Sequence, residues 1–255
     1  MTKKRLKPWV VIAFLIICLT SATYFSYRVI TWKLHVEENK KIQNDIKDKI
    51  IIKQKPNFEN QEQNDEKTKY DIDFNALKEQ NSDTIAYIKV NNTNIDYIVV
   101  KGKDNDYYLK HNFEKKWNTA GWIFADYHNK FDDSDKNIVI YGHSMKNGSM
   151  FGTLKKVLNK DWYENESNHE VILVTEKETY YYEVFSTYTI EPEDYYINTS
   201  FKNNDEFDNF VRKLKSRSIY DYGVKVTGED KIITLSSCIS DGKKRVVLHA
   251  KLIES

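Results

Sequence analysis

From Trp9 to Tyr27 the chain runs 19 residues without a charge, mostly Val, Ile, Leu, Phe and Ala. At ~1.5 Å rise per residue a helix of that length nearly matches the hydrocarbon core of a bilayer. Beyond it, Ile42, Ile46 and Ile50 recur at every fourth position among Glu, Lys, Asn and Asp between Val36 and Lys53, which predicts an amphipathic helix with a narrow apolar stripe. The stretch Pro56 to Lys69 (PNFENQEQNDEKTK) holds one aromatic residue among polar and charged ones and reads as a tether. From Tyr70 the pattern changes to short apolar runs rich in Ile, Val, Tyr and Thr, broken by Asn, Asp, Gly and Lys clusters. These predict strands at 84–90, 95–100, 121–125, 137–142, 170–175, 179–190, 231–238 and 245–253. Helices are predicted at 73–80, 149–159 and 204–217, the last from the spacing of Phe207, Phe210, Val211 and Leu214. Eight strands in roughly 185 residues predict a mainly β fold, an eight-stranded closed or nearly closed barrel with peripheral helices. The chain thus divides into 1–30, a tail and membrane span; 31–69, an amphipathic helix and polar linker; and 70–255, the main domain.

Charge orients this plan. Lys and Arg total 39 against 38 Asp and Glu, but Lys3, Lys4, Arg5 and Lys7 all precede the apolar run, and the body without them is net negative. No basic footprint remains for a nucleic-acid partner. The cationic flank places the N-terminus in the cytoplasm and residues after about 30 outside, as a single-pass protein of the cell membrane. A cleaved signal peptide ending near Ser21-Ala22-Thr23 is the alternative to an uncleaved anchor. Only two cysteines occur, Cys18 inside the span and Cys238 near the C-terminus, which excludes a disulfide scaffold and paired-cysteine metal sites. No clustered metal ligands and no glycine-rich phosphate loop appear, so neither a metal nor another cofactor is expected.

Cys238 has no partner on its side of the membrane, and is either buried filler or a reactive thiol. It ends the apolar run Lys231 to Ser237 just before the turn signal Asp241-Gly242, and strand ends are where rigid scaffolds present chemistry. A nucleophilic thiol needs an imidazole, because free cysteine is only a few per cent thiolate at neutral pH. Of six histidines, His35, His111, His128 and His169 have solvated surroundings, and His249 inside the last strand suits a hydrogen-bonded structural role. His143 follows the apolar strand Asn137 to Tyr141 and opens a glycine-containing loop, which makes it the candidate base. In the last strand Arg245, Val247, His249 and Lys251 share one face. Antiparallel pairing of 231–238 with 245–253 brings Arg245 opposite Cys238, where it would support an oxyanion or a peptide backbone; the alternative is a surface pair with Asp241.

Together these segments resemble a sortase of class B. Thr234-Leu235-Ser236-Ser237-Cys238 resembles the family's TLxTC signature, with Ser237 in place of Thr, and Arg245 stands where the family has its essential arginine. Tyr141-Gly142-His143-Ser144-Met145 with Gly148-Ser149-Met150-Phe151 resembles the family's histidine segment in its class B form. Ala86-Tyr87-Ile88, Ile95-Asp96-Tyr97, Lys101-Gly102, Asp106 to Leu109 and Gly121 to Asp126 also fit, so the likeness covers about 84–253. The resemblance implies a sortase β-barrel and a membrane-tethered cysteine transpeptidase on the outer face of a Gram-positive bacterium. It implies Cys238, His143 and Arg245 as catalytic residues, with Ser236 and Ser237 next to the substrate. The partners implied are surface proteins bearing an NPxT-type sorting signal, cleaved after Thr, and an amine acceptor from a peptidoglycan precursor or another, pilin-like subunit. An L,D-transpeptidase would place Gly at position 237 and Arg at 240, where this chain has Ser237 and Ser240. A non-catalytic anchored binding module, with Cys238 as filler, is the reading from a different class.

Overall fold

The computed structural model describes residues 7–53, 70–238 and 244–254. The expected tether from Pro56 to Lys69, the cationic residues before Lys7, and the Asp241-Gly242 turn lie outside them. The chain opens with α1 (Pro8–Ile50), a single helix of 43 residues. The expected span and amphipathic stretch are therefore one element. Pro8 suits the first helical position, where its missing N–H is not needed, and no Gly or Pro follows to stop the helix between the two halves. Its apolar side chains from Trp9 to Ile30 are exposed, as a lipid-facing surface would be, and this is the one helix among the described residues long and apolar enough to cross a membrane. From the second half, Val36, Asn39, Ile42, Gln43 and Ile46 are buried against the main domain.

Two short strands, β1 (Ile51–Lys53) and β2 (Tyr70–Ile72), pair antiparallel with Lys53 opposite Tyr70, so the two flanks of the polar segment are held together. Next comes α2 (Phe74–Gln80), capped by Asp73, whose side chain accepts from the Ala76 N–H. The barrel itself is built from β3 (Thr84–Val90), β4 (Asp96–Val100), β5 (Phe124–Ala125), β6 (Asn137–His143), β7 (Glu170–Thr175), β8 (Thr179–Ile190), β9 (Ile232–Cys238) and β10 (Arg245–Glu254). It closes in the order β10-β8-β7-β3-β4-β5-β6-β9. All eight expected strands are present, although β5 is only two residues long. Two pairings are parallel, β4 with β5 and β6 with β9. The region expected as a helix at 149–159 is instead a bridge between Ser144 and Met150, a 3₁₀ segment Leu154–Leu158 and the short α3 (Lys160–Tyr163). Gly152 explains the tight entry, since a Cβ there would lie 2.3 Å from the Met145 carbonyl oxygen.

Both faces of β10 are buried. Val246, Leu248 and Ala250 face the barrel interior with Ile140, Ile233 and Leu235. Val247 instead joins Phe185, Tyr188, Ile190, Tyr196 and Ile232 under α4 (Asn204–Ser216), which contributes Phe207, Val211 and Leu214. This insertion between β8 and β9 is well specified locally. Asn203 caps α4 by accepting from the Glu206 N–H, and Asp205 and Glu206 sit at its positive end, with Lys213 and Lys215 at its negative end. Each large apolar side chain buried in this second layer contributes ~1.5–3 kcal/mol.

His249 lies at the boundary of the two layers and is fully buried. Thr234 gives its hydroxyl proton to the Asn137 side-chain oxygen, so His249 Nδ1–H donates to Thr234 Oγ1 at 2.9 Å and Nε2 accepts from Tyr188 OH at 3.0 Å. Burial pushes its pKa down to about 3, so the folded ring stays neutral where an unfolded one, titrating near ~6.5, takes a proton. Stability is therefore retained above ~6.5 and lost as pH falls toward 3. Replacing His249 with Gln should remove about 2 kcal/mol of the decline in unfolding free energy between pH 7 and 5, by denaturant titration; equal slopes in both proteins would contradict the assignment.

Candidate active site

The parallel pairing of β6 with β9 puts His143 in register with Cys238, and the antiparallel pairing of β9 with β10 puts Arg245 in register with Cys238 from the other side. His143 ends β6, Cys238 ends β9 and Arg245 begins β10, so three strand ends form one row at one rim of the barrel. The Cys238–Arg245 pairing is the one that the short connection between β9 and β10 predicts. Bringing His143 beside them requires the closed barrel, because the chain between His143 and Cys238 contains β7, β8 and the α4 insertion. At Cys238 it is the backbone position that is described.

Two hydrogen bonds hold His143, and tight packing at Gly142 fixes the strand beneath it. Its Nε2 lies 2.8 Å from the Leu109 carbonyl oxygen, which can only accept, so Nε2 carries the hydrogen and Nδ1 is left for proton transfer. Its own carbonyl accepts from the Phe151 N–H at 2.9 Å, closing the loop that follows β6. Beneath it, Gly142 has no room for a side chain, since a Cβ would meet Ile123 Cδ1 at 2.5 Å and Phe151 Cγ at 2.7 Å. The Leu109 carbonyl belongs to a 3₁₀ turn, Tyr107–Leu109, that is itself clamped. Gly121, at φ 59°, lies so close that a Cβ there would stand 2.4 Å from the Tyr108 oxygen and 2.9 Å from the Leu109 oxygen. The Gly121 carbonyl in turn accepts from Asn39 of α1 at 2.9 Å. Fully buried Asn118 completes the clamp, donating to the His35 carbonyl at 3.0 Å and to Asn39 Oδ1 at 2.9 Å, and accepting from the Ala120 N–H. The acceptor that sets the His143 tautomer is thus braced against α1.

On the other side of Cys238, half-buried Arg245 donates from Nη1 to Tyr196 OH at 2.9 Å, and Tyr196 OH lies 2.9 Å from Ser236 Oγ. Tyr196 is fully buried in the second core, so the packing of α4 sets the height of the phenol under the guanidinium. Tyr141, two residues before His143, is near enough to Arg245 to feel its positive charge. Burial pushes its phenol well above the ordinary range, and its hydrogen bond to Asp126 Oδ2 at 2.8 Å acts in the same direction. Asp126 has the opposite balance: burial would raise its carboxyl, but hydrogen bonds from the His128 N–H, Tyr141 and Asn105 outweigh that and hold it below the usual carboxylate range.

The two serines expected beside the substrate separate. Ser236 meets Tyr196 in the arginine layer, whereas Ser237 is 1% exposed and donates to the Phe151 carbonyl at 3.4 Å. His249 is apart from the row, in its buried network. Tyr196 carries no sequence signal of its own: it lies in an unpatterned Glu/Asp/Tyr run after β8 and acquires its position from the second core. Asn118 is equally silent in sequence, as one of many asparagines. Among the described residues no group of His, Cys, Asp and Glu side chains could hold a metal ion.

A model of the sortase domain family matches residues 88–253, which include every residue of the row. Sortase B of Listeria monocytogenes is 40% identical over 189 residues, covering 69% of this chain and 72% of the relative. The X-ray structure of Clostridium perfringens sortase B superposes with a TM-score of 0.67 at 38% identity, over 71% of this chain and 99% of that one. A crystal structure of sortase B from Bacillus anthracis gives 0.72 at 35% identity, over 87% and 99%. With the barrel closed in the same way and likeness spanning all of its strands, the chain belongs to the sortase transpeptidases, in their class B.

Proposed function

We propose that this protein is a membrane-anchored cysteine transpeptidase of the outer cell surface. It would cut surface proteins at an NPxT-type sorting signal and join them to an amine. The observation that carries this reading is the single register row of His143, Cys238 and Arg245 across β6, β9 and β10. The Cys238 thiolate attacks the threonine carbonyl, and the carbon–oxygen π electrons move onto oxygen. Arg245 meets that negative charge or the peptide carbonyl next to it with its planar fork of donors. As the tetrahedral adduct collapses, the C–N bond breaks and the leaving amine takes a proton from His143 Nδ1, leaving a thioester on Cys238. An incoming amine, from a peptidoglycan precursor or another protein subunit, then attacks the thioester, gives its proton to His143, and releases the thiolate.

The test is a panel of quenched peptides, differing in the four signal residues, offered to the full chain in detergent with a short amine acceptor. NPxT-type peptides should be cut after Thr and their N-terminal halves recovered on the acceptor. Binding without cleavage, with Cys238 inert to a thiol alkylating agent, would instead favour an anchored binding module.

A further inference from the structure

Tryptophan exposure singles out one part of the barrel. Trp122 and Trp162 are 1% and 3% exposed, as core residues are, yet Trp117 is 58% exposed. It stands on the hairpin that follows the Tyr107–Leu109 turn, where His111 and Trp117 form a bridge. Around it are Lys110, whose Nζ lies 5.9 Å from the ring centroid, and His111, edge-on at 5.8 Å and stacked on Tyr107 at 3.9 Å. On this hairpin Lys116 pairs with Glu114 at 2.6 Å and Lys115 with Asp83 at 2.9 Å, so the basic group set beside the rings is Lys110. Aromatic rings interleaved with basic groups are the composition of a membrane–water interface.

The placement of the hairpin along α1 says which surface it meets. The exposed run from Trp9 to Ile30 is ~32 Å long at ~1.5 Å per residue, one hydrocarbon core, and its one charged residue, Arg28, stands within a turn of the outer end, where a long cationic side chain reaches the headgroups. Contact with the barrel begins almost at once, as His35 Nδ1 lies 3.1 Å from Thr119 Oγ1 and the His35 carbonyl accepts from Asn118. His35 is ~7 Å along the axis from Ile30, and the headgroup layer is roughly 5–8 Å thick on each side. Trp117, two residues from Thr119, is within ~7 Å of that level.

We infer that the 107–119 hairpin is a lipid contact, with Trp117, Lys110 and His111 seating the barrel on the anionic headgroups of the leaflet around α1. The inference rests on α1 being the membrane anchor and the barrel lying outside. It adds that the barrel touches the bilayer a second time, one residue from the Leu109 carbonyl that holds His143, so that this edge of the active site faces the lipid surface.

Tryptophan quenching tests it in the full chain, reconstituted in vesicles of neutral and anionic phospholipid. One preparation carries a nitroxide at the headgroup and another bromines at mid-chain. Comparison with Trp117→Phe isolates the emission of Trp117, and the same variant with Trp32→Phe added leaves Trp9, at the other end of the span, as the one tryptophan of α1 and the report on the anchor. Trp117 emission should fall at least two-fold with the headgroup quencher and little with the mid-chain one, and the effect should weaken in wholly neutral vesicles. Unquenched Trp117 emission beside quenched Trp9 would overturn the contact and leave the anchor standing, as expected of a hairpin that awaits a protein partner. If neither is quenched, the anchor reading fails and the contact with it.

Discussion

Replacing Cys238 with Ala should abolish both peptide cleavage and the thioacyl enzyme, a loss on the order of 10⁴-fold or more in turnover, as when a covalent nucleophile is removed elsewhere. The fold should persist. Cys238 is paired through its backbone on both sides, to His143 and to Arg245, so the register of β9 depends on main-chain hydrogen bonds and on the buried side chains of Ile232, Ile233 and Leu235. Two measurements separate the possibilities: intact-protein mass after mixing with a cleavable peptide, which should show the peptide adduct on the native enzyme alone, and a thermal melt, which should be nearly unchanged. Cleavage retained by the alanine variant would refute the assignment of the nucleophile. A collapsed melt would show the thiol to be structural.

Replacing His143 with Ala should lower turnover by ~10²–10⁴, the usual contribution of a positioned general acid and base. The loss should fall on turnover more than on apparent affinity, because the imidazole acts on the departing and arriving amines. With Nε2 committed to the Leu109 carbonyl, a variant able to donate there but not to titrate, His143→Asn or His143→Gln, should be as inactive as the alanine protein. Substantial activity in either amide variant would mean that positioning, and not proton transfer, is the role of this side chain. His249 supplies the control: it lies in the strand that begins with Arg245, yet its replacement should show in the melt and leave turnover of the folded protein largely intact.

The barrel was legible in the sequence because its strands carry their own signals, short β-branched and aromatic runs between Asn, Asp and Gly turns. The Cys238–Arg245 pair was legible for the same local reason, a short hairpin. What could not be read from periodicity is the parallel seat of β6 beside β9, since partners so far apart in sequence are chosen by barrel closure. His143 stood out among the six histidines by its place at a strand end, and likeness to the family agreed with that choice. The double burial of β10 was hidden because Arg245, His249 and Lys251 make its outer face look solvated, although α4 and the segments around it cover most of that face. Tyr196 went unnoticed on the same account, as it gains its place from this second layer. The span and the amphipathic stretch run on as one helix, α1, because the residues from Arg28 to His35 contain nothing that interrupts helical hydrogen bonding, and the change of composition marks where exposed side chains give way to packed ones.

Continuity of α1 changes the search problem the enzyme solves. A coil of Gly- or Ser-rich linker would let the site sweep a volume whose radius grows with the square root of linker length, and distant partners would be reached at some effective concentration. Here the load path runs through packed Val36, Asn39, Ile42 and Ile46, while the polar segment is bypassed by the pairing of Lys53 with Tyr70. With α1 as the proposed membrane anchor, the site would move with the lipid beneath it, in two dimensions and at one height. Encounter becomes a matter of lateral diffusion and surface density. On that proposal, a substrate held in the same membrane would be selected by the length of chain between its own anchor and its cleavage signal as well as by the letters of that signal, because an enzyme on a fixed mast cannot make up a shortfall of a few residues.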